Sequence, residues 1–174
     1  ARMLESSVVV LEKAAEAGVD AILAVTPYYN RPSQEGLVAH FRAIADVGKA
    51  VMLYNIPGRT GRRIEVDTLA RLSEHPNIVA VKDAVEDLDF TSKTINVVPD
   101  LILYSGQDSL TLPSLAVGAV GIVSVASHLV GRQIQAMVRA FHDGDHEEAR
   151  RLHHLLYPVF EACFLETNPA PVKA

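Results

Sequence analysis

The chain has 174 residues, 49% of them hydrophobic and 21% charged, with a net charge of -5. That is enough chain and enough apolar surface for one ordinary domain with a buried core, and it excludes a disordered segment. The negative charge, without any basic cluster, argues against a nucleic-acid partner, and no apolar run nears the roughly 18 residues a membrane-spanning helix needs.

The opening ARMLESS has no signal-peptide layout, because Arg2 and Glu5 flank only Met3 and Leu4. A first helix is expected before residue 21. Five short apolar runs then recur: 21–25 (AILAV), 50–53 (AVML), 78–81 (IVAV), 101–103 (LIL) and 121–125 (GIVSV). Runs of this length without polar alternation suit parallel strands covered on both faces. Between them lie helical segments. Ser33 caps one whose apolar face is Leu37, Phe41 and Ile44. Others cover 66–74, 90–97 and 109–117, the last with Pro113 near its first turn, where proline is tolerated. Residues 133–142 and 146–157 read as two more helices, split by the turn Asp143-Gly144-Asp145. A single cysteine, Cys163, leaves no internal disulfide and fits a reducing, cytoplasmic setting.

Repeated strand–helix units give a parallel sheet with right-handed crossovers. Two architectures fit: an open doubly wound sheet, or part of an eight-stranded βα barrel. The polar residues bear on the choice. They gather after the apolar runs, as Thr26 to Asn30, Tyr54 to Gly61, Lys82-Asp83, Ser105 to Asp108 and Ala126 to His128. In a βα barrel the strand C-terminal ends carry the chemistry. No G-x-G-x-x-G or P-loop follows any run, so no nucleotide cofactor is read. The seven histidines give no metal set; His142 and His146 straddle a turn, and His153 and His154 are read as a solvated surface.

Lys82 closes an apolar run. A lysine pointing into a barrel is partly desolvated, which frees its amine to attack a ketone or aldehyde. The run alone fits a snorkelling lysine equally well. Tyr54 ends the preceding run and is expected beside Lys82, where a phenol can pass protons; a tyrosine capping the core with a wet hydroxyl is the plainer alternative. Arg59 sits in the tight loop Pro57-Gly58-Arg59-Thr60-Gly61 and can grip a carboxylate through two parallel hydrogen bonds. Gly106 and the backbone near Val123 would let a small substrate approach the main chain; plain strand-end geometry fits both equally well.

The stretches 25–32 (VTPYYNRP), 54–61 (YNIPGRTG), 81–84 (VKDA), 121–125 (GIVSV) and 168–173 (NPAPVK) resemble the dihydrodipicolinate synthase family, within the pyruvate-dependent class I aldolases and lyases. The resemblance covers nearly the whole chain. It implies a (β/α)8 barrel lyase that condenses pyruvate with aspartate semialdehyde in lysine and diaminopimelate biosynthesis, without a cofactor and as a dimer or dimer of dimers. Residues 1–131 would be five βα units of the barrel, and 132–174 its last helix and the start of a C-terminal helical region. Lys82 would form the pyruvate Schiff base and Tyr54 would relay protons. Arg59 would bind the carboxylate of the second substrate, and Gly106 and Val123 would line the pyruvate pocket. Tyr29 would reach across a tight-dimer interface into the partner's relay, and Tyr28 matches a regulatory tyrosine. Arg2 and Ser6 stand where lysine-inhibited members carry asparagine and glutamate, a departure that leaves lysine feedback open.

Relatives of the same superfamily, such as N-acetylneuraminate or 2-keto-3-deoxy sugar-acid lyases, are the nearest alternative; a non-catalytic doubly wound binding domain is the alternative of another class. The five runs resemble the fourth to eighth barrel strands. The first three strands, with a Gly-Thr-Thr segment that binds pyruvate in the family, have no counterpart here. Little turnover is therefore expected from these 174 residues alone.

Overall fold

The computed structural model describes the backbone of residues 2–174 and the side chains from Val8 onward. The side chains of Arg2 and Ser6 lie outside the described residues. Helix α1 (Arg2–Glu16) leads into β1 (Ala21–Val25), α2 (Gln34–Ala45), β2 (Ala50–Asn55), the short α3 (Pro57–Thr60), α4 (Val66–Ser73), β3 (Ile78–Asp83), α5 (Leu88–Val97) and β4 (Ile102–Ser105). A 3-10 turn (Asp108–Leu110), α6 (Thr111–Ala116), β5 (Gly121–Ile122), α7 (Ser127–His142), α8 (His146–Ala162) and α9 (Ala170–Lys173) follow.

The five strands form a parallel sheet in sequential order, β1-β2-β3-β4-β5. A doubly wound sheet reverses its strand order at the crevice that binds its ligand. Among the described residues no such reversal exists, so the doubly wound alternative is rejected. No helix is long and apolar enough to cross a membrane among the described residues.

Two compact units are distinguished, Ala1–Leu103 and Tyr104–Ala174. In the first, one face of β1 to β3 is packed under helices. Ile22, Ala24, Val51, Leu53 and Val81 are buried there with Leu37 and Phe41 of α2 and Leu69 and Leu72 of α4. The Ser33 cap forms as the sequence predicts, with its hydroxyl accepting from the Gly36 N–H at 3.2 Å. Asp87 caps α5 in the same way, through the N–H groups of Asp89 and Phe90, so that helix starts two residues before the expected 90. The opposite sheet face is open: Leu23 is 50% and Val25 38% exposed.

In the second unit, Ala126, Ile134, Met137, Leu152, Leu156, Phe160 and Cys163 make one core between α7 and α8. Two expectations are corrected here. The run 121–125 is a strand only over Gly121–Ile122, because the Asp108 carboxylate, not a neighbouring strand, takes the N–H groups of Val125 and Ala126 at 3.1 and 3.2 Å. Moreover, His153 is no solvated surface residue. It is half-buried, with its ring against those of Tyr157 and Phe160.

Candidate active site

The strand ends of the first unit place Lys82 and Tyr54 together. Lys82 is 8% exposed, and its Nζ lies over the Tyr54 ring, 4.1 Å from the centroid. An ammonium at that distance from a phenol face makes a cation–π contact. The register that produces this depends on one extra residue. Val51 pairs with Ile78, but Met52 pairs with Ala80, so Val79 is bulged out of β3. Tyr54 therefore pairs with Lys82. Without the bulge it would face Val81, and Lys82 would point to the helix-covered side, because successive strand side chains alternate.

The backbone around Tyr54 is held from two sides. Thr26, fully buried, donates both its N–H and its hydroxyl to the Tyr54 carbonyl at 3.1 Å. Asn55, also fully buried, donates from Nδ2 to the Ile64 carbonyl and accepts the Ile64 N–H at Oδ1, each at 3.0 Å. That pair closes the loop 56–63 onto the strand end, and the loop contains Arg59. Inside the loop, Thr60 donates to the carbonyls of Ile56 and Arg62. Gly61 ends α3 at φ 68°, a left-handed conformation suited to glycine; a Cβ there would stand 2.6 Å from Arg31 Nε.

Burial raises the Tyr54 phenol above its ordinary value, and the Arg59 guanidinium pulls it back down. Arg59 thus lies within electrostatic reach of the phenol. It also lines an open pocket of about 520 Å³ with Tyr28, Tyr29, Arg31 and Gly58 to Gly61. Tyr29 is 95% exposed at φ 70°. The N–H of Asn30 donates to the Tyr28 carbonyl at 2.9 Å, which makes Tyr29 the centre of a positive-φ γ-turn, a strained form. Tyr28 is 61% exposed.

Gly106 and Val123 belong to the second unit. They follow the paired ends of β4 and β5, and the Val123 N–H donates to the Ser105 carbonyl at 2.9 Å. Gly106 is not among the positive-φ glycines, so it serves no left-handed turn. Beneath this strand end lies a residue to which the sequence reading gave no role. Asp108 is 1% exposed and accepts from the Ser124 hydroxyl as well as from the N–H groups of Val125 and Ala126. It fixes the segment that follows Val123. Asp83, beside Lys82 but on the other face, is likewise buried and accepts from the Thr91 hydroxyl at 2.7 Å and the Val85 N–H at 3.0 Å. Burial, only partly offset by those two donors, raises its carboxyl. In each case the sequence signal was a lone acidic residue just past an apolar run.

Comparison with known proteins bears on this geometry. The family model of the dihydrodipicolinate synthetase family matches residues 1–174. The chain is 55% identical over 166 residues to the 4-hydroxy-tetrahydrodipicolinate synthase of Synechococcus elongatus, covering 94% of this chain and 56% of that protein. It is 52% identical over 172 residues to the synthase of Heliobacterium modesticaldum, covering 98% and 57%. Among solved structures, dihydrodipicolinate synthase from Bacillus anthracis superposes with a TM-score of 0.94 at 50% identity, over 98% of this chain and 59% of that one. The synthase of Methylacidiphilum fumariolicum gives 0.96 at 48% identity, over 98% and 58%. The chain spans a little over half the length of these relatives, and its five strands are a stretch of their (β/α)8 barrel. With a family match from end to end and a near-superposable sheet, the chain belongs to the dihydrodipicolinate synthetase family.

Proposed function

We propose that this chain carries the Schiff-base centre of a lyase that condenses pyruvate with aspartate semialdehyde to 4-hydroxy-tetrahydrodipicolinate. The observation that carries the reading is the buried Lys82 Nζ over the Tyr54 ring. The Lys82 amine adds to the pyruvate ketone, and loss of water leaves an imine. Loss of a methyl proton then gives an enamine, and Tyr54 is the group placed to move that proton. The enamine carbon attacks the aldehyde, whose oxygen stays as the hydroxyl. The amine of the second substrate then displaces Lys82 and closes the ring. Arg59, at the open pocket, takes the carboxylate of the aldehyde substrate through its planar fork. Gly106 and Val123 line the pyruvate side, and the exposed, strained Tyr29 reaches into a partner subunit of a dimer or dimer of dimers. Tyr28 belongs to a regulatory site. The protein works in the cytoplasm.

The test follows the methyl protons of pyruvate in D2O by NMR. The whole protein that contains this chain accelerates their exchange for deuterium, and Lys82→Arg removes the acceleration. In the whole protein, aspartate semialdehyde then consumes pyruvate while N-acetylmannosamine does not. Exchange that Lys82→Arg leaves unchanged would overturn the Schiff-base reading. Consumption with N-acetylmannosamine instead would favour the sialic-acid lyase alternative.

A further inference from the structure

A second pocket, within the unit Tyr104–Ala174, is not used by this chemistry. It is an open groove of about 540 Å³, inside the range of small-molecule sites. Leu112, Pro113 and Ala116 of α6 form an apolar floor, and Phe141 of α7 forms one wall. The other wall is one side of α8, carrying His146, Arg150, His153 and His154. Residues 146, 150 and 153 or 154 follow one another at steps of three or four, one helical turn each, which puts them on that side.

The lining is aromatic and cationic. The Phe141 and His146 rings lie 5.0 Å apart, and those of His153 and His154 5.5 Å apart. Burial and the neighbouring His154 charge lower the His153 imidazole, and its Nδ1 is buried without a hydrogen-bond partner. His153 therefore presents a neutral, flat surface. Arg150 supplies a permanent positive charge with a planar fork. Among the described residues that line the pocket there is no carboxylate. Two of the acidic residues nearby are engaged elsewhere: Asp145 caps α8, and Glu148 pairs with Arg151.

We propose that this groove is a binding site for a small aromatic carboxylate, its ring laid on the floor between Phe141 and His153 and its carboxylate on Arg150. An apolar floor with aromatic walls favours a flat ring over a sugar or a free anion. A single guanidinium at the rim matches one carboxylate. The proposal is independent of the Lys82 reading, because its site shares no residue with that chemistry.

The probe is 2-naphthoate, with 2-naphthamide as the uncharged isostere. Both are titrated into the 174-residue chain while the histidine imidazole signals are followed by NMR. The expected result is saturable shifts of His146, His153 and His154 but not of His40 or His75, with the amide binding about tenfold more weakly for want of a charge-assisted pair. Arg150→Gln removes that preference and leaves amide binding unchanged. Leu112→Gln, on the half-buried floor, weakens both ligands. No saturable shift up to about 5 mM, where even millimolar binding is visible, would overturn the proposal. So would a carboxylate preference that survives Arg150→Gln.

Discussion

Asn55→Ala tests how the loop that carries Arg59 is held. The amide of Asn55 is fully buried and makes both of its hydrogen bonds to Ile64, each at 3.0 Å. Alanine leaves the Ile64 N–H and carbonyl without partners at a residue that is itself fully buried. Each stranded buried group costs roughly 1–3 kcal/mol, less where water can enter, so we expect a loss of about 3 kcal/mol. For a chain of this size that is a fall in Tm of about 6–12 °C. The assay is urea denaturation followed by circular dichroism, with thermal melts alongside. Asn55→Asp is the informative control. At neutral pH the new carboxylate still accepts the Ile64 N–H but faces the Ile64 carbonyl without a proton to donate. Once protonated, it regains both bonds. Its native pKa is thus raised above the unfolded value, and stability returns as pH falls through it. A loss below about 1 kcal/mol for Asn55→Ala, or an aspartate variant with no acid rescue relative to wild type, would refute the anchoring of this loop by Asn55.

Two further predictions concern the groups around the candidate site. Tyr29→Gly relieves a positive-φ γ-turn at a side chain with almost no contacts to lose, and should stabilise the chain by about 1 kcal/mol; a fall in Tm would contradict the strain. Arg59→Gln removes the charge that offsets burial at Tyr54, so the Tyr54 phenol should titrate at still higher pH, read from phenolate absorbance against a Tyr54→Phe reference. Because the native phenol is already raised, its share of stability is present below the unfolded value near 10 and is lost as pH climbs above it; an unmoved titration would show that Arg59 does not face the phenol.

Much of this architecture can be read from local patterning. The run AILAV is β1 over its whole length, and Ser33 caps α2 as its position suggests. Helix α8 outran its expected end at 157, continuing to Ala162 through Pro158, because Leu156 and Phe160 bury against the core of that unit and tertiary packing outweighs propensity. From sequence the short α3 reads as a loop; its proline at N1 and Gly61 at the C-cap are helix signals that four residues are too few to make periodic. The closeness of Lys82 and Tyr54 was legible from two apolar runs with polar ends. What sets it, the bulge at Val79, was not: no glycine or proline marks it, and it exists only as a mismatch between two strands. Asp108 and Asn55 escaped for a related reason, since their partners lie in backbone segments that only the fold brings near.

The central claim is that Lys82 is the amine that captures pyruvate. The direct measurement is borohydride reduction of the whole protein in the presence of pyruvate, followed by peptide mass mapping of the five lysines of this chain. The account predicts a carboxyethyl group on Lys82 despite its burial, at a rate well above that of the exposed Lys13, Lys93 and Lys173. Labelling that follows exposure, with those lysines modified and Lys82 untouched, would contradict it.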